Sequence, residues 1–183
     1  MGLNKIQGPA HALSPISPVD LVASDIIAAN TGAVISGFLT VTGNTVISGS
    51  VTVAGSFNAQ QLLETVVDIT LASGTTTAVL DYSQGNIFTL TGTQLTGNVT
   101  LNVINVPSVP SRMTTLNVLI TQGSTGYVPG TININGRAAL IKWPGGTIPT
   151  PTSTVGKIDI FGYTLYYSSG LIWTAFASAS LNY

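Results

Sequence analysis

Val34-Ile35-Ser36-Gly37-Phe38-Leu39-Thr40-Val41-Thr42-Gly43-Asn44-Thr45-Val46-Ile47-Ser48-Gly49-Ser50-Val51-Thr52-Val53-Ala54-Gly55 repeats itself at two periods. Val34-Ile35-Ser36-Gly37 returns after twelve residues as Val46-Ile47-Ser48-Gly49, and Thr40-Val41 with Gly43 returns as Thr52-Val53 with Gly55. Beneath that step lies a unit of six. Ile35, Val41, Ile47 and Val53 each stand two residues before a glycine, and Ala33, Leu39, Thr45 and Val51 stand two residues before those. In an extended chain both positions point to the same side. Each unit therefore reads as one short strand with an inward face, followed by a corner that glycine turns at little cost. Hexads of this kind belong to β-helical architectures, whose units stack because none buries its inner face alone.

Four hexads give four short strands, little more than one coil of a single-chain β-helix. One coil has no neighbour to close its core, and each Val or Ile left in water forgoes roughly 1.5–3 kcal/mol. Three identical chains, each giving one face to a shared three-sided shaft, resolve this. Ile35, Val41, Ile47 and Val53 are then the trimer seam. The other reading of the same residues is a meander of two hairpins whose valines face a sandwich core. Strict six-residue glycine spacing favours the shaft, because hairpin strands rarely keep glycine at such intervals.

Charge narrows the function. Only 6% of the 183 residues are charged, against roughly 25% in ordinary globular proteins. No charge occurs between Asp25 and Glu64, nor between Asp81 and Arg112. A monomer so poorly charged is weakly protected against association, whereas burying surface against other copies removes the difficulty. With a net charge of −1 and no basic cluster, the expectation is no nucleic-acid partner. The apolar runs fall far short of the ~20 residues that span a bilayer, so no membrane insertion is expected. There is no cysteine, hence no disulfide framework or thiolate metal site. No secretory leader is apparent at the N-terminus, and Ile6 stands where a myristoylation signal wants Ser or Thr.

Three regions follow. Residues 1–30 carry Pro9, Pro15 and Pro18, the lone His11, and apolar Leu3, Ile6, Leu13 and Ile16. The prolines hold the first half extended, and one or two helical turns can form from Val19 to Ala29 with Ser17 or Ser24 as cap. Such an arm, too small for its own core, reads as an attachment segment. Residues 31–64 are the hexads and a connector. From 65 to 183 the pattern changes to longer alternating strands with turn signals every eight to twelve residues. Val66–Leu71, Thr76–Asp81, Asn86–Thr91, Val99–Ile104, Met113–Gln122 and Thr131–Asn135 are expected strands. Lys157–Phe161 and Leu165–Tyr167 are expected to flank a turn near Gly162, ahead of a last strand over Leu171–Phe176. The expected fold is all-β: a short trimeric β-helical or interleaved hexad shaft, then an antiparallel, jelly-roll-like β-sandwich.

Several phrases in the third region carry a resemblance: Gly85-Asn86-Ile87-Phe88 with Leu90-Thr91-Gly92, Gly97-Asn98-Val99-Thr100-Leu101, Leu119-Ile120-Thr121-Gln122-Gly123-Ser124, and above all Lys142-Trp143-Pro144-Gly145-Gly146. Pro149-Thr150, Lys157-Ile158-Asp159-Ile160-Phe161 and Trp173 complete the set. With the hexads, residues 31–183 resemble structural proteins of tailed bacteriophages, in particular fibre-like proteins of cyanophages. The resemblance implies a homotrimeric virion protein, assembled in the host cytoplasm and carried on the virion surface. Its partners would be other virion proteins of the capsid or of the tail and baseplate, as a short fibre, head fibre or capsid decoration.

An enzyme is not expected, and no cofactor is implied. His11 lies in the arm, which leaves the folded region without a histidine to activate a nucleophile. Asp68, Asp81 and Asp159 could converge as glycosidase acids or calcium ligands, but they stand singly, as turn or edge residues do. The alternative function is a host-receptor tip that binds surface polysaccharide. Tyr163, Tyr166 and Tyr167 are its candidate ligand-facing aromatics, while Trp143 and Trp173 are expected to pack.

Overall fold

Alternation decides which way each side chain points. A computed structural model describes residues 51, 53, 56–60 and 63–183, of which Asn58–Tyr183 fall in one compact unit. Among the described residues ten strands form: β1 (Val66–Ile69), β2 (Thr75–Asp81), β3 (Ile87–Thr91), β4 (Leu95–Ile104), β5 (Arg112–Thr121), β6 (Pro129–Ile134), β7 (Arg137–Ala138), β8 (Leu140–Lys142), β9 (Ile158–Tyr167) and β10 (Trp173–Ser180). In β3 Phe88 and Leu90 are buried, in β5 Leu116, Val118 and Ile120, and in β4 Val99, Leu101 and Val103. The residues between them are partly or fully exposed. Period-two patterning thus yields one buried face per strand.

Those faces meet between two mixed sheets. The larger runs β1-β3-β5-β9-β10-β8 and the smaller β2-β4-β6-β7. β1, β3 and β5 are parallel neighbours, and so are β2, β4 and β6. From β1 to β6 the chain therefore passes from one sheet to the other at each connection and returns beside its previous strand. Val66 lies beside Ile87, and Ile87 beside Asn117, one winding further on. Each Val, Leu, Ile or Phe side chain buried between the layers contributes about 1.5–3 kcal/mol.

All-β is what the sequence led us to expect, but β1 to β6 are not an antiparallel jelly roll. Turn signals such as Ser83-Gln84-Gly85-Asn86 are corners that carry the chain between sheets, not hairpins within one. Alternation fixes which face is buried and is silent about which strand lies alongside, so both topologies satisfy it. Close stacking of the windings shows at Gly85, where a Cβ would stand 2.6 Å from the Thr65 carbonyl oxygen. Among the described residues antiparallel pairing is confined to β6–β7, β5–β9 and β9–β10. The β6–β7 hairpin turns at Asn135 (φ 49°) and Gly136 (φ 77°), the two positive values that a type I′ turn requires.

Gly162 does not turn the chain either. It sits in the middle of the ten-residue strand β9, where an added Cβ would come within 3.0 Å of Ser178 Oγ and 3.2 Å of Asn117 Oδ1. Glycine is there for close approach between strands. Of the seam, Ile35, Val41 and Ile47 lie outside the described residues, and Val53 is exposed on the single chain. Leu3, Ile6, Leu13 and Ile16 of the arm also lie outside them.

Candidate functional site

On the outer face of the larger sheet, register brings two cross-strand rows together. Thr115, Thr164 and Phe176 form one, and Asn117, Gly162 and Ser178 the next, contributed in turn by β5, β9 and β10. All six residues occupy outward positions, alternating with Leu116, Tyr163, Leu165, Ala175 and Ala177 in the core. Because Gly162 carries no side chain, the sheet dips there into a groove of about 480 Å³. Phe176 forms one bank with 47% of its surface exposed. Glu64 stands at the end, its Oε1 accepting a hydrogen bond from Asn86 Nδ2 at 2.7 Å. Lys142 follows Phe176 in the first row, on β8.

The tyrosines of β9 are distributed by the same alternation. Tyr163 and Tyr167 point into the core, and Tyr166 outward and half-buried. The Tyr163 ring meets Trp143 edge-on at 6.1 Å, and Trp143 meets Phe161 at 6.4 Å. Burial pushes the Tyr163 phenol well above its ordinary range. Tyr167 stacks on the buried Trp173 at 4.5 Å between ring centres. Within the chain, then, Tyr163 and Tyr167 serve packing, and of the three only Tyr166 faces outward. Phe176 and Asn117 were not legible as site residues, because only the pairing of β9 with both β5 and β10 sets them beside each other.

The three aspartates do not form a common site. Asp68 on β1 accepts a hydrogen bond from the Thr89 hydroxyl. Asp81, closing β2, accepts from Asn105 Nδ2 (2.8 Å) and from the Ser83 hydroxyl (2.7 Å) and backbone N–H (3.0 Å). The Asn105 bond, followed by those from Ser83, holds its carboxyl below the usual range. Asp159 is fully buried at the start of β9. Their hydrogen-bond partners are hydroxyls, amides and backbone N–H groups, not Lys142 or Lys157. Among the described residues no group of three His, Cys, Asp or Glu side chains is placed to hold a metal ion.

Asp159 instead staples loops. Its Oδ1 accepts from the Thr152 hydroxyl at 2.7 Å and the Asn182 N–H at 3.0 Å. Its Oδ2 accepts from the Thr152 N–H at 2.8 Å and Gln122 Nε2 at 3.0 Å. Gln122, also fully buried, donates onward to the Tyr127 carbonyl (2.8 Å) and accepts the Tyr127 N–H (3.0 Å). Desolvation alone would raise the Asp159 carboxyl, but the hydrogen bonds from Thr152, Asn182 and Gln122 together outweigh it and hold it below its ordinary value. Beside this knot Gly126 passes so close to Thr152 that a Cβ would lie 2.3 Å from its carbonyl oxygen. Gly126→Ala should therefore cost about 2 kcal/mol of stability through overpacking. Thermal denaturation checks this; an unchanged midpoint would mean that the 150–153 segment moves aside freely.

No family model, curated protein or solved structure matches this chain.

Proposed function

We propose that the chain is a non-enzymatic structural protein of a tailed-phage virion, a homotrimeric surface appendage anchored by its N-terminal arm. The observation that carries this reading is the six-residue glycine repeat over residues 33–55, placed directly before a low-charge β domain. Such a repeat has apolar strands to bury and too few of them to close a core within one chain. Assembly is then the mechanism. The shared seam of Ile35, Val41, Ile47 and Val53 supplies association energy, the arm attaches to capsid or tail proteins, and the wound two-sheet domain points outward. Resemblance to cyanophage fibre-like proteins adds the virion setting.

Removing residues 1–30 tests the arm. The shortened protein should fold, sediment as a trimer and fail to join particles during assembly. Normal incorporation of that variant would move attachment to the C-terminal domain and overturn the role given to Leu3, Ile6, Leu13 and Ile16.

A further inference from the structure

The groove over Gly162 combines features that a purely structural surface does not need. An exposed apolar ring, Phe176, stands across from an amide, Asn117, with the hydroxyls of Thr115, Thr164 and Ser178 around them. The floor is backbone, and its depth depends on the missing Cβ: any side chain on residue 162 would crowd Ser178 Oγ and Asn117 Oδ1. At about 480 Å³ the groove falls within the range of small-ligand sites.

We propose that this groove binds one uncharged hexose or N-acetylhexosamine unit of a neutral glycan. The apolar C–H face of a pyranose ring fits the Phe176 ring, as flat apolar surfaces stack on aromatic faces. Sugar hydroxyls both donate and accept, and the walls offer both functions through an amide and three hydroxyls. The Glu64 carboxylate, fixed through one oxygen by Asn86, accepts from a further hydroxyl at the groove's end. Charge argues for a neutral ligand: one carboxylate at one end and one ammonium, Lys142, beyond Phe176 at the other leave no net charge to attract an acidic sugar. The binding site goes beyond the assembly role proposed above and holds for a fibre or a decoration protein alike.

The full-length protein applied to an array of glucose, galactose and N-acetylglucosamine oligomers, with sialylated and sulfated counterparts, provides the test. Saturable binding to at least one neutral series is expected, with no gain from added acidic groups. Phe176→Ala should weaken it roughly tenfold, the loss of one good contact, and Asn117→Ala should weaken it as well. Thr131→Ala, on the other sheet, should leave it unchanged. Phe176 is exposed, so the alanine variant retains its fold, which circular dichroism verifies. Three results would overturn the proposal: no glycan retained, preference for the charged series, or affinity unaltered in both groove variants.

Discussion

Asp159→Ala should lower the thermal midpoint of the folded domain by roughly 10–20 °C, a loss of about 3–4 kcal/mol. The carboxylate receives four hydrogen bonds from three separate stretches of chain: Gln122 after β5, Thr152 in the loop before β9, and Asn182 after β10. Alanine removes the acceptor and keeps the donors. One Gln122 N–H would then be left without a partner in the core, and the Thr152 and Asn182 N–H groups would lose theirs at its partly buried edge; that asymmetry is what makes the loss large. Gln122→Ala should also destabilise, and the double variant should cost less than the two single losses combined, because they share one bond. Strict additivity would show that the two side chains stabilise independently.

The same network sets an acid limit. Asp159 titrates below its ordinary value of 3.8 in the folded chain, so the unfolded chain takes up the proton first as pH falls. Its stabilisation is fully present above the unfolded value and drains away as pH drops through the folded one. Melting curves of the native protein should thus shift down steadily below about pH 4. In Asp159→Asn that part of the slope should be missing, since asparagine does not titrate. An identical acid slope in both proteins would assign the effect to another carboxylate.

What the sequence disclosed and what it withheld follow a physical division. Strand positions such as Phe88/Leu90 and Leu116/Val118/Ile120 were legible, because a half-buried strand writes its inward face into alternate residues. Partners were not. β3 pairs with β1 and β5 across intervening strands of the other sheet, and nothing in the alternation of β3 distinguishes that from a hairpin with β4. Gly162 was misread as a turn for a related reason: glycine marks both corners and close approaches, and only the neighbours Asn117 and Ser178 tell them apart. Asp159 looked isolated because its partner Gln122 lies 37 residues away. The groove is the same kind of object, built from register between β5, β9 and β10 and therefore invisible along the chain. β9 carried a partial signal, since adjacent Tyr166 and Tyr167 had to face opposite ways, and Tyr167 turned inward.

Ile47→Asp should convert a trimer into single chains, the largest change expected of any one substitution here. In a three-sided shaft it places three carboxylates around one axis, each taken from water without a partner, and each repelling the other two. Sedimentation at micromolar concentration should show three times the 18.8 kDa chain mass for the native protein and the chain mass alone for the variant. Val46→Asp is the control. In the proposed shaft its side chain would point to the opposite side of the short strand, so the trimer should persist. Acid gives a second discrimination. Crowded carboxylates hold their protons to higher pH than isolated ones, so lowering the pH to about 5 should restore part of the trimer in Ile47→Asp. A meander of hairpins leads elsewhere: Ile47 would then face a core within its own chain, and the aspartate would unfold that segment without altering the mass. A native protein that sediments as a monomer would sink the shaft outright, and with it the reason for six-residue glycines.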